Sequence, residues 1–153
     1  LTDHKTKLKM ILSKTVGYAL RALIYLVSYQ KEKKPIGIKE IAEGLEVPRP
    51  YLSKIMQELS KRDVIGSLKG PNGGFLTNEN TLQTNILKIV EILDGLGSFQ
   101  SCILGLNKCD NANPCPVHDE LIVHRESLLE TLRNKKIIDL RQEFEENGKV
   151  LIN

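Results

Sequence analysis

Cysteine is scarce in this 153-residue chain, three residues in all, and an odd, small number of thiols argues against a disulfide framework holding the fold. No apolar run approaches the roughly 18–20 residues that cross a bilayer. The longest, Ala19 to Val27, is interrupted by Arg21. The lysines of Leu1 to Lys9 resemble the first segment of a secretion signal, but no small-residue cleavage site follows the apolar stretch. Internal repeats and low-complexity segments are missing. So is the Gly-Lys-Ser/Thr signature with which a glycine-rich loop cradles a nucleotide. These absences point to a cytoplasmic protein with no membrane partner. Residues 1–9 are polar, carry no helical period and read as a flexible extension ahead of Met10.

What is present is ordinary in amount and uneven in arrangement. With 41% hydrophobic and 27% charged residues the chain has the composition of a folded protein, and its length excludes two large catalytic domains. Residues 1–77 hold 14 Lys and Arg against 7 Asp and Glu, whereas residues 78–153 hold 8 against 12. A basic front half joined to an acidic rear half suggests that the front meets a polyanion.

Leu12, Val16, Ala19, Leu20, Leu23 and Val27 recur at helical spacing, with Ser13 as N-cap. After the breaker Lys33–Gly37, Ile38, Ile41, Ala42 and Leu45 line a short helix, and a turn spans Gly44 to Val47. A second helix follows, with Pro48 and Pro50 at its start and Leu52, Ile55, Met56 and Leu59 as its buried stripe. Two short helices joined by a tight turn make a helix-turn-helix. Asp63 to Leu68 is β-rich, Gly70-Pro71-Asn72-Gly73-Gly74 is a turn, and Phe75-Leu76-Thr77 returns, so a hairpin wing follows directly. Thr84 is positioned to cap a helix carrying Ile86, Ile89, Val90 and Leu93, ended by Gly95. No period is visible from Gly95 to Pro116. Val117, Leu121, Leu128 and Leu132 then mark a long helix, and Lys135 to Glu146 a shorter one.

The fold class is therefore mainly α with a small β-hairpin, a winged helix-turn-helix domain plus a long dimerisation helix. Its expected segments are residues 10–80 for the DNA-binding domain, 81–116 for a linking helix and cysteine-containing loop, and 117–153 for the dimerisation helix and tail helix. The N-terminal part of a recognition helix brings side chains to base edges in the major groove. The outward positions there are Arg49, Tyr51, Ser53, Lys54 and Gln57, all competent donors to bases or phosphates. Lys69 precedes the glycine-rich turn, where Gly70, Asn72 and Gly73 let the backbone approach a phosphate or a cation enter the minor groove.

Cys102, Cys109, Cys115 and His118 fall within seventeen residues, and a loop can fold such a set around one metal centre. The donors suit either an iron-sulfur cluster or a tetrahedral zinc. His124 lies mid-helix and reads as structural or solvent-exposed.

Taken together, Leu12-Ser13-Lys14, Tyr18-Ala19-Leu20-Arg21-Ala22-Leu23, Ile38-Lys39-Glu40-Ile41-Ala42, Pro48 to Ile55 and Lys69 to Leu76 resemble the Rrf2 family of bacterial winged-helix regulators, from about Met10 to Leu140. The resemblance implies a transcription regulator that binds a double-stranded DNA operator as a homodimer. It implies base reading at Ser53 and Lys54, minor-groove insertion at Lys69, and phosphate contacts at Ser13 and Lys14. Three cysteines with a nearby histidine resemble the members that hold a [2Fe-2S] cluster and sense redox state, iron or nitric oxide. A cluster-free regulator using the cysteines as a thiol switch or zinc site is the alternative. An enzyme is not expected, since no motif supplies a general base or a pocket for a small-molecule substrate.

Overall fold

The computed structural model describes residues 12–102, 104, 106 and 111–148. Helix α1 (Lys14–Tyr29) starts where the Ser13 hydroxyl accepts the Val16 N–H at 3.2 Å, the N-cap its position predicts. Val16, Ala19, Ala22, Leu23, Leu26 and Val27 form its buried face. That face packs against α2 (Ile38–Leu45), α3 (Arg49–Lys61), α4 (Ile86–Leu93) and α7 (Ile137–Asn147), so one helix serves the whole core. Leu52, Ile55, Met56 and Leu59 of α3 are buried as their spacing predicts. Pro48 is the N-cap residue of α3 and Pro50 lies in its first turn, where a missing N–H leaves no helical bond unmade.

The turn between α2 and α3 uses Glu46, not Gly44, in the left-handed region, with φ 53°. Gly44 lies instead against the Tyr25 ring, which a Cβ there would approach to 2.6 Å and push aside. Strands β1 (Gly66–Leu68) and β2 (Gly74–Leu76) pair antiparallel, with Gly66 opposite Leu76 and Leu68 opposite Gly74. The strand is shorter than the β-rich run, because Val64 and Ile65 are buried in the core before it begins. Ile36 adds a third position to the wing: its N–H donates to the Phe75 carbonyl at 2.8 Å, and the Phe75 N–H returns to the Ile36 carbonyl at 2.9 Å. A single paired residue after a proline has no period, so the sequence shows only a breaker there.

Asn85, not Thr84, caps α4, its Oδ1 accepting the Lys88 N–H at 2.8 Å. The Thr84 hydroxyl donates instead to the Asn80 carbonyl at 2.8 Å. Both side chains can cap; Asn85 is the one in extended backbone directly before the helix. Gly95, at φ 70°, ends this segment as expected. A four-residue helix, α5 (Gly97–Gln100), occupies part of the stretch without period, anchored by buried Phe99. Helix α6 (His118–Asn134) begins one residue after Val117, its N-cap residue, and packs on α4. Of its expected stripe Leu132 is buried, while Leu121 and Leu128 are half-buried. Ile86, Ile89, Val90, Phe99, Leu132 and Ile137 join the cluster formed by α1 to α3, so the winged helix and the segment leading to the cysteines share one core.

Two glycines test this packing. A Cβ at position 74 would stand 2.3 Å from the Ile36 carbonyl oxygen, whereas one at position 17, inside α1, would meet nothing within 4 Å. In urea unfolding, Gly74→Ala is expected to lower stability by about 1–3 kcal/mol. Gly17→Ala should raise it by about 0.5–1 kcal/mol.

Candidate functional site

Helix α3, the start of α2 and the wing enclose an open groove of about 740 Å³. Lys39, Arg49, Lys61 and Lys69 line it and no Asp or Glu does, which makes it a cationic channel. Of the residues expected at the interface, Arg49, Ser53, Gln57, Lys69, Gly70 and Gly73 line the groove; Lys54, Tyr51 and Asn72 are exposed beside it without lining it. The Gln57 Nε2 donates to the Ser53 hydroxyl at 3.2 Å, which presents the two as a pair. The Ser60 hydroxyl donates to Ser67 Oγ at 3.0 Å and ties α3 to β1.

The wing turn is dictated by its backbone. The Gly73 N–H donates to the Gly70 carbonyl at 3.0 Å, closing a four-residue turn, and Gly70 takes φ 112°, which favours glycine. A Cβ on Gly73 would lie 2.2 Å from the Leu68 carbonyl oxygen. The result is a narrow tip with Lys69 and Asn72 exposed. Lys39 and Lys61 were not among the expected residues. Lys61 was findable, four residues beyond Gln57 and eight beyond Ser53 on one helix face. Lys39 had no periodic signal; its exposed pairing with Glu43 at 3.8 Å is too weak to withhold it from a phosphate.

The start of α1 joins this surface. The Tyr51 hydroxyl is hydrogen-bonded to Thr15 Oγ1, and its ring meets Tyr18 edge-on at 5.6 Å between centroids. The Arg21 guanidinium lies 4.9 Å over the Tyr18 ring. Lys14 is exposed between Ser13 and Thr15. Ser13 has a second contact besides its capping bond: its hydroxyl donates to Asp94 Oδ1 at 2.8 Å.

The cysteine region lies beyond α5. Cys102 is buried, 6% exposed. The backbone N–H groups of Leu104 and Leu106 hydrogen-bond its sulfur and hold its pKa below the usual thiol range, helped by the Cys115 thiol and the Arg125 charge and opposed by burial. Such a nest of amides favours an anionic sulfur. Cys102 and Cys115 are therefore together, while Cys109 lies outside the described residues. His118 opens α6, its N–H bonded to the Cys115 carbonyl at 2.9 Å, and its buried ring has Nε2 2.7 Å from Asn111 Oδ1. Among the described residues no three His, Cys, Asp or Glu side chains form a group that could hold a metal ion. The Arg125 guanidinium donates to the Ser101 carbonyl at 2.8 Å and pins α6 to the start of this loop.

The profile of the Rrf2 family, described as iron-dependent transcriptional regulators, matches residues 12–143. The chain belongs to that family. A protein of Aquifex aeolicus assigned as an HTH-type transcriptional regulator is 37% identical over 133 residues, 86% of this chain and 91% of its own length. NsrR of Oceanobacillus iheyensis, also an HTH-type transcriptional regulator, is 31% identical over 101 residues, 65% of this chain and 68% of its own. Among solved structures, T. potens IscR superposes with a TM-score of 0.71 at 20% identity, covering 93% of each chain. CymR, the global cysteine regulator of B. subtilis, superposes with a TM-score of 0.70 at 22% identity, covering 87% of this chain and 97% of its own. The Rrf2 profile accounts for the winged helix, and the chain is a transcriptional regulator of this family. No helix among the described residues is long and apolar enough to cross a membrane.

The bond between Tyr51 and Thr15 joins α3 to α1. Tyr51→Phe and Thr15→Val are each expected to cost about 1 kcal/mol in unfolding experiments. The double variant should lose little more than either single one, since both remove the same bond.

Proposed function

We propose that this Rrf2 regulator works as a cytoplasmic homodimer that reads an operator with α3 and the wing, and that a [2Fe-2S] cluster tunes its affinity. The groove lined by four cations and no carboxylate is the observation that carries the DNA reading. Arg49, Ser53 and Gln57 reach base edges from the first turns of α3, and Lys54 and Tyr51 approach the flanking backbone. Lys69 enters the minor groove from the wing, where Gly70, Asn72 and Gly73 bring backbone groups close to a phosphate. Ser13 and Lys14 hold a second phosphate at the start of α1. Two such chains related by a two-fold axis would read half-sites about one helical turn apart. The partly exposed face of α6, with Val123 62% exposed, offers a surface for the second copy.

The residues near Cys102 suit an iron-sulfur cluster in donor chemistry. Cys102, Cys109, Cys115 and His118 would hold it, His118 exchanging its Asn111 contact for the metal. When bound, the cluster supplies one-electron redox chemistry and sensitivity to iron supply and nitric oxide. The chain's own contribution is the amide nest that stabilises sulfur charge at Cys102 and the Arg125 bond that links the loop to α6. The contact between the Cys102 and Cys115 thiols also favours a second reading, a cluster-free regulator that uses them as a thiol switch or zinc site.

Lys69→Ala is expected to weaken operator binding and to reduce the slope of log affinity against log salt by about one. Unchanged affinity and slope would remove Lys69 from the interface. Cys102→Ala should abolish the visible absorption of the anaerobically purified protein. A spectrum identical to that of the unsubstituted chain would rule out Cys102 as a ligand.

A further inference from the structure

The start of α1 is a junction between the two halves of the proposed regulator. Ser13 and Thr15 flank Lys14, and each is held by a different element. Thr15 Oγ1 is bonded to the Tyr51 hydroxyl at the head of the recognition helix. Ser13 donates its only hydroxyl proton to Asp94 Oδ1 at 2.8 Å while accepting the Val16 N–H. Asp94 is the C-cap residue of α4, with its N–H on the Val90 carbonyl at 2.9 Å. Seven residues separate it from Cys102. Those residues include Gly95 in the left-handed region, buried Phe99 of α5, and Ser101, whose carbonyl is gripped by Arg125. Buried Phe99 and the Arg125 bond to Ser101 fix this short segment at two points, so a shift of the cysteine loop has a short route to Asp94.

We propose that Asp94 is a positioning residue for DNA binding: through its bond to Ser13 it transmits the state of the cysteine loop to the α1 terminus beside the recognition helix. The proposal rests on the reading of the chain as a DNA-binding regulator whose loop tunes affinity. Two physical effects act together. The carboxylate occupies the Ser13 proton that a DNA phosphate would otherwise receive, and its negative charge beside a helix N-terminus opposes the approach of that phosphate. Movement of the loop that draws Asp94 away frees Ser13 and removes the charge. Movement that presses it closer does the reverse. Asp94 is exposed, so a phosphate can compete with it directly.

The test is a cycle of substitutions in the full chain, read as affinity for a duplex enriched by the unsubstituted protein from a randomised library. Cys102→Ala perturbs the loop and is expected to change affinity by about fivefold or more. In an Asp94→Ala background, or a Ser13→Gly background that keeps a tolerable N-cap, the same Cys102→Ala change should shrink to less than about twofold. Asp94→Asn, which retains an acceptor for Ser13 but no charge, should tighten binding overall while preserving the response to Cys102→Ala. A purely structural role for Asp94 would lower the unfolding midpoint and leave the response intact. If Cys102→Ala has the same effect with and without Asp94 and Ser13, the inference is overturned and the regulator reading stands. If no duplex is enriched the DNA-reading proposal fails, and if Cys102→Ala changes nothing the proposed tuning by the loop fails; in either case the inference fails with it.

Discussion

The apolar stripe of α1 is the surface on which both halves of the molecule are assembled. Val16, Ala19, Ala22, Leu23, Leu26 and Val27 are almost fully buried, and the helices of the winged helix meet the same helix as α4 and α7. A protein interior packed to crystal-like density transmits displacement instead of absorbing it. The shared helix therefore makes the cationic groove and the segment leading to Cys102 parts of one packed body. Its N-terminus is where their polar contacts converge: Thr15 faces the recognition helix and Ser13 faces the end of α4.

The proposed reading surface follows from this support. With Leu52, Ile55, Met56 and Leu59 fixed in the core, the opposite face of α3 must present Arg49, Ser53, Gln57 and Lys61 outward. The wing is held at its distance by the Ser60 to Ser67 bond and by the Ile36 pairing with Phe75. Its glycines are needed where the backbone closes on itself, at Gly70 for its positive φ and at Gly73 and Gly74 for close approach. Lys69 at the tip is thereby carried on a small hydrogen-bonded ribbon, which would limit the entropy lost in the proposed DNA contact.

Most of this was legible in the sequence because it is periodic or chemically marked. The stripes of α1, α2, α3 and α4, the prolines at the start of α3 and the glycine-rich turn each have one reading under simple geometry. The misses have physical causes. Thr84 and Asn85 are adjacent capping types, and backbone conformation, not residue type, selected between them. Ile36 pairs through a single residue, and α5 is too short for a period to emerge. Lys39 joins the groove through the tertiary arrangement of α2 against the wing. The bond from Ser13 to Asp94 spans 81 residues and has no local signature at all. In the cysteine region Cys102 and Cys115 lie together, while the ring of His118 is turned to Asn111, a neighbour that spacing gave no reason to select.

The proposed function joins a DNA-reading surface to a cluster-binding loop in one chain. The most direct measurement purifies the protein without oxygen, determines iron, sulfide and zinc per chain, and compares the DNA affinity of that preparation with its metal-stripped form at one fixed salt concentration. About two iron and two sulfide per chain, and affinities that differ by about fivefold or more, are expected from this proposal. Zinc or no metal in place of iron, or equal affinity in the two forms, would contradict it.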